Sequence, residues 1–229
     1  MCFSKIFQIN DFLPNKLFKT SIFEPIVIEL FRRYTVYYSL AFSLVLLGLV
    51  MLLVFSKGEL VLFFEHNSTT AMDTFFYWVT KGGEIYMGIL TLILTIVFGS
   101  KRFVIVFILS ILLSLIVSQG LKHKVFPLED RPYSEYKDLR DIDGLERHVK
   151  NSFPSGHTTA AFTFFTLLAL SLRKRWIQIL APISASLVGV SRVYLGQHYL
   201  NDIVAGAVLG IFIVSIVTLL FHKKYPVLE

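Results

Sequence analysis

Charge is scarce in this 229-residue chain: 17% of it is Asp, Glu, Lys or Arg, against 55% hydrophobic. A soluble domain ordinarily carries about 25% charged residues. The chain therefore lacks the polar surface needed to coat a water-soluble globule. Its mean hydropathy of +0.66 excludes disorder too, which requires low hydrophobicity and high charge. Cysteine is almost missing. The lone Cys2 permits no intramolecular disulfide, and with no apolar signal segment ahead of it, it reads as incidental rather than as a lipid-attachment site. No cleavable signal peptide is expected, because Asp11, Pro14, Glu24 and Arg32 interrupt the first stretch before a clean apolar core can form. Internal repeats and domain boundaries are absent as well. What these absences leave is one compact polytopic membrane bundle.

Six apolar segments are present: Val36–Phe55, Ile85–Gly99, Phe103–Gly120, His157–Leu172, Ile177–Leu195 and Ile203–Phe221. Several fall short of the roughly 20 residues that cross the hydrocarbon, but a helix can begin inside a protein-lined cavity. The expected fold class is all-α: a six-helix transmembrane bundle with a short interfacial helix and a non-cytoplasmic active-site loop. Residues 1–35 form an N-terminal cytoplasmic or interfacial segment, with Ile26–Tyr34 an interfacial helix, and residues 36–229 form the membrane domain. Ala71–Thr80 reads as a second interfacial helix.

The net charge of +6 is a topology signal before it is a nucleic-acid signal. Lys5, Lys16, Lys19, Arg32, Arg33, Lys101, Arg102, Arg173, Lys174, Arg175, Lys223 and Lys224 all fall on one side if the N-terminus is cytoplasmic, as the positive-inside rule requires. Both termini are then inside, and no nucleic-acid partner is implied. The other side receives Ser56–Glu84, a tight turn near Gly196, and the long polar excursion Leu121–Ser155, whose seven Lys/Arg balance seven Asp/Glu. Loops beyond about 12–15 residues are usually functional or disordered. Asn67-Ser68-Thr69 matches a glycosylation acceptor, a short pattern that arises often by chance.

On that outer side stand three polar groups: Lys124, Arg131 and Pro132; Pro154, Ser155, Gly156 and His157; and Ser191, Arg192, His198 and Asp202. Each has an ordinary explanation when taken alone: a Pro-Ser helix start, solvated loop cations, a snorkelling arginine, a helix with an N-terminal acid. Each also has a chemical one. A helix starting at Ser155-Gly156 offers free N–H groups and the positive dipole end to a phosphate. His198 and Asp202, four apart, share a face if both lie on one helix; the carboxylate can then fix the imidazole tautomer and free the other nitrogen to attack. Lys124, Arg131 and Arg192 can hold phosphoryl oxygens. His123, His148 and Lys122 read as solvated, and well-spaced carboxylates are too few for a dinuclear metal centre.

The order KVFPLEDRP, PSGH and SRVYLGQHYLND, together with six apolar segments, resembles the phosphatidic acid phosphatase type 2 superfamily, which includes bacterial lipid phosphatases and vanadium haloperoxidases. The resemblance spans Lys124–Asp202 in its motifs and leaves the N-terminal 35 residues uncovered. It implies that His198 is a nucleophile forming a phosphohistidine, that Asp202 orients it, and that His157 protonates the leaving oxygen. Lys124, Arg131, Ser155, Gly156 and Arg192 would hold the phosphoryl group, with no metal and no cofactor. The implied partner is a membrane lipid phosphate: undecaprenyl diphosphate foremost, then lipid A, phosphatidylglycerol phosphate or phosphatidic acid. The implied place is a bacterial inner membrane with the site facing outward. A lipid-phosphate transporter, using the same charges without hydrolysis, is the competing class; it favours internal repeats, which the chain lacks.

Overall fold

The computed structural model describes residues 23–224. Expectations resting on Cys2, Lys5, Lys16 and Lys19 lie outside them, as do the side chains of Lys223 and Lys224. Among the described residues the structure is helical throughout, with no strand. The helices are α1 (Phe23–Arg33), α2 (Thr35–Val54), α3 (Glu59–His66), α4 (Thr70–Thr80), α5 (Ile85–Phe98), α6 (Lys101–Gly120), α7 (Pro132–Glu135), α8 (Gly156–Leu172), α9 (Arg175–Tyr194) and α10 (Leu200–Lys224).

All six expected apolar segments are helices, but their lengths differ from a uniform set of six spans. Thr35–Val54, Lys101–Val125, Arg175–Tyr194 and Leu200–His222 are long and apolar enough to cross a membrane. Ala71–Thr80, expected to lie at an interface, instead continues into α5 through a 3-10 turn at Lys81–Gly83, with a bend of 53° between Thr70–Gly83 and Ile85–Phe98. Gly82 and Gly83, with low helix propensity, mark the break. Helix α8 has only 17 residues. Its capping Ser155 is fully buried, so it starts within the protein and need not match a bilayer.

The reason is its position. Helix α8 packs against α5, α6, α9 and α10, and Ala161, Leu167, Ala169 and Leu170 are fully buried in the main core. Its threonines suit that setting. Thr159, Thr163 and Thr166 each donate to the carbonyl four residues earlier, so their hydroxyls carry no unmet hydrogen bond into the core. Glycines let α10 come close. A Cβ on Gly206 would stand 2.8 Å from Ser155 O, and one on Gly210 2.7 Å from Thr159 O, the small-residue contact common between membrane helices. Helix α1 joins the same core through Leu30, and the Tyr34 hydroxyl, between α1 and α2, donates to Leu170 O at 2.8 Å.

Large apolar side chains cover the outside of α2, α5 and α6: Leu53, Val54, Ile96, Phe98, Leu112 and Ile116 are all exposed. Such a belt is a liability in water and ordinary against lipid. This is a multi-pass membrane protein. Arg32, Arg33, Lys101, Arg102 and the Arg173–Arg175 run stand at the helix ends away from the long excursion.

Candidate active site

The balanced charge of the excursion is used in pairs that fold it over the helix ends. Arg140 bridges Glu65 at 2.5 Å and Asp73 at 2.8 Å and stacks 4.8 Å from the Tyr194 ring centre. Lys57 meets Glu135, and Lys150 meets Asp130. Main-chain bonds from Arg131 N to Val149 O and from Ser152 N to Glu129 O zip the two limbs of the loop together. Asn67 and Thr69 serve here as helix ends: Asn67 Nδ2 donates to Phe63 O, and Thr69 Oγ1 accepts from Met72 N, capping α4.

Under this cover lies a cavity of about 430 Å³ lined by Lys122, Arg131, His157, Arg192 and His198, with Gly156 and Glu84 in its wall. Ile85, Ile111, Leu115 and Phe164 continue it as an apolar surface between α5, α6 and α8. The cavity joins a polar end to a greasy one, the shape of a lipid phosphate.

His198 is held firmly. Its Nδ1 lies 3.2 Å from Asp202 Oδ2, with both side chains 2% exposed. Asp202 also accepts from Ser152 Oγ and from Tyr199 N at 3.0 Å. The two residues do not share a helix face as the four-residue spacing suggested: α10 begins at Leu200, so His198 precedes it and Asp202 reaches back from the first turn. The pairing survives because Gly196, at φ 65°, turns the chain tightly between α9 and α10. With Nδ1–H donating to Asp202, Nε2 holds the free lone pair.

Burial, then the nearby cations Arg131, Arg192 and Lys122, hold the His198 imidazole well below its ordinary range, which favours its neutral form. The consequence for stability has a definite sign. An unfolded chain protonates this histidine near pH 6.5 and the folded one resists, so the stabilisation is complete above about pH 6.5 and declines below it. The wild-type protein in detergent is expected to lose about 1.4 kcal/mol per pH unit more than His198→Gln as pH falls from about 6.5 to about 5. Thermal unfolding across that range measures it; parallel curves for the two proteins would contradict it.

Arg131 is 8% exposed and is tied to main-chain carbonyls, donating from Nε to Lys150 O at 2.9 Å and from Nη2 to Asn151 O at 3.3 Å. Arg192 is 4% exposed; Nη1 donates to Thr80 Oγ1 at 2.8 Å, and Nε is buried with no partner. Among the described residues, neither arginine nor Lys122 has a carboxylate within salt-bridge distance. Buried cations left this way are costly, and an anion in the cavity is the group that would answer all three.

Two expected phosphate ligands stand elsewhere. Lys124 is exposed and does not line the cavity. Lys122, read from sequence as solvated, is 7% exposed and lies in the wall, its Nζ 3.6 Å from where a Gly156 Cβ would be. Ser110, Ser114 and Ser118 form the buried face of α6 at four-residue spacing. Lys122 is the next position on that stripe, continued through the π turn Leu121–Val125, whereas Lys124 points away. That stripe was a readable signal. Ser155 caps α8, its Oγ accepting from Thr158 N and Oγ1 and its N–H donating to Asp202 O at 3.0 Å; it positions the helix start, while Gly156 and His157 face the cavity. His148, read as solvated, also lines it. Glu84 was not singled out at all, though an acid opening an apolar segment is a functional signal by default.

The comparisons agree with this architecture. A family model described as the PAP2 superfamily matches residues 103–226, more than half the chain. An undecaprenyl-diphosphatase of Sulfolobus acidocaldarius is 28% identical over 156 residues, 68% of this chain and 73% of that protein. The crystal structure of Aquifex aeolicus LpxE superimposes with a TM-score of 0.61 at 30% identity, covering 75% of this chain and 97% of that one. A transmembrane PAP2 type phosphatidylglycerolphosphate phosphatase from Bacillus subtilis shares the fold, with a TM-score of 0.57 at 22% identity over 81% of this chain and 96% of that one.

Proposed function

We propose, from the premise that this chain belongs to the PAP2 superfamily, that it removes a terminal phosphate from a membrane lipid through a phosphohistidine. The observation that carries the reading is one cavity with three cations that lack carboxylate partners and three histidines at its polar end, and an apolar wall behind them.

The steps follow from the geometry. The phosphoryl group sits among Lys122, Arg131, the free Nε of Arg192 and the N-terminal N–H groups of α8. Donors already fixed where negative charge gathers lower the barrier without reorganising. His198 Nε2 attacks phosphorus and Asp202 balances the imidazolium that forms. The bond to the lipid oxygen breaks as His157 gives that oxygen a proton. Water then attacks phosphorus as His157 takes its proton, the N–P bond breaks, phosphate leaves and His198 is neutral again. None of these steps is routed through a metal.

Undecaprenyl diphosphate is the leading substrate, with lipid A and phosphatidylglycerol phosphate next. The basic helix ends support a cytoplasmic placement of that face, and hence an outward-facing site in a bacterial inner membrane, with residues 1–35 on the cytoplasmic side of the domain spanning 36–229. Phosphate release from these lipids in detergent, with and without chelator, tests the reading. Release on a diphosphate exceeding the others and unaffected by chelator is expected. Lipid binding or flux with no phosphate released from any of them would favour transport instead.

A further inference from the structure

We propose that Glu84 is a positioning residue for His157: its carboxylate holds Nε2 and offsets the imidazolium charge, leaving Nδ1 to serve the leaving oxygen. This rests on the phosphatase reading above and assigns a role to a residue outside its three motifs.

The geometry is built rather than incidental. Glu84 Oε1 lies 3.8 Å from His157 Nε2, and both side chains line the cavity. Such pairs are often long without substrate and tighten with it. What places the carboxylate is the break between α4 and α5. The turn Lys81–Gly83 sits directly on the start of α8: a Cβ on Gly83 would stand 2.6 Å from His157 O and 3.0 Å from His157 Cβ. Only glycine allows that approach, and the next residue is Glu84. The same break supplies Thr80, whose hydroxyl accepts from Arg192, so one turn sets both the histidine and the arginine. Lys81 Nζ, 3.0 Å from the same oxygen, Glu84 Oε1, anchors the carboxylate.

The charges around His157 explain why a carboxylate is needed. Lys122 faces the cavity from the π turn after α6, Arg131 and His148 from the excursion, Arg192 from α9 and His198 from the turn before α10. Asp202 is already engaged by His198, Ser152 and Tyr199 N. Three cations oppose a fourth positive charge on His157; Glu84 is the carboxylate in the cavity wall that favours it. The proton moves from His157 Nδ1 to the leaving oxygen as the N–P bond forms and the P–O bond breaks, and returns from water in the second step.

The test compares an ester that needs the acid with one that does not, in the full-length protein in detergent. Hexadecyl phosphate leaves as a poor alkoxide, p-nitrophenyl phosphate as a stable phenolate. The readout is the first turnover, phosphoenzyme formation, before water is required. Glu84→Gln is expected to slow hexadecyl phosphate about 10²-fold, the lower end of a general-acid contribution, and the aryl ester less than about 5-fold. Half-saturating concentrations should change less than about 3-fold, and the alkaline limb of the alkyl profile should move about 1 pH unit lower. Glu84→Asp is expected to restore part of the rate. Equal losses on both esters with an unmoved limb overturn the proposal, leaving Glu84 as an anchor for Lys81. His157→Gln is the reference. If it discriminates between the esters and Glu84→Gln does not, Glu84 alone is misassigned. If His157→Gln does not discriminate either, the acid role of His157 fails with it.

Discussion

Replacing His198 with alanine is expected to abolish phosphate release, by about 10⁴–10⁶-fold, the scale on which removal of a nucleophile or its base acts elsewhere. The expectation follows from how completely the structure commits this residue. Its Nδ1 is held by Asp202, it is buried and neutral, and its Nε2 faces a cavity whose cations lack anionic partners. The remaining histidine of the cavity wall that flanks the reacting group, His157, is assigned to proton transfer and is oriented by a different element. The folded state should tolerate the change, because Ser152 Oγ and Tyr199 N still bind the Asp202 carboxylate. Labelled phosphate should attach to the wild-type protein as an acid-labile adduct and be absent from His198→Ala. With His157→Ala and an aryl phosphate, the adduct should form and then persist, because water lacks its base. Label on His198→Ala, or release within about tenfold of wild type, would sink the nucleophile assignment.

The second large effect separates two lysines that differ by two positions. Lys122→Ala is expected to lower phosphate release about 10²–10³-fold, comparable with loss of one preorganised oxyanion donor. Lys124→Ala should change it by less than about 3-fold, as a solvated surface charge does. Spacing from Arg131 favours Lys124; burial favours Lys122. Packing separates them: the inward face of α6, Ser110 to Ser118, runs on to the buried Lys122 in the π turn Leu121–Val125, while Lys124 in the same turn is exposed. Steady-state rates of the two alanine variants on one lipid phosphate settle it. A large loss in Lys124→Ala with Lys122→Ala near wild type would mean that the end of α6 rewinds when substrate enters.

Much of the molecule was legible beforehand, for reasons that can be named. Apolar runs mark helices, so the six segments emerged within a few residues of their structural ends. Basic clusters mark one set of helix ends. The PSGH stretch reads as a helix start, and Ser155 indeed caps α8. Less legible was anything that depends on how a helix is rotated or broken. The α4–α5 break at Gly82-Gly83 looked like a loop following an interfacial helix; the structure makes it the wall that carries Glu84 and Thr80 to His157 and Arg192. The pairing of His198 with Asp202 was right in partners and wrong in form, because a turn, not a helix face, brings them together.

Taken alone, the amino-acid order determined the solvent and the chemistry. Too little charge and too much apolar surface place the chain in lipid, and the lysine, arginine, histidine and aspartate motifs carry the resemblance to the PAP2 superfamily. Both are properties of residue type and spacing, which a linear string carries. Which lysine enters the cavity, which hydroxyl only caps a helix, and which carboxylate stands beside the acid histidine were decided by tertiary packing. Those choices depend on helix rotation and on close approach at Gly83, Gly206 and Gly210, and such contacts exist only once distant segments have met.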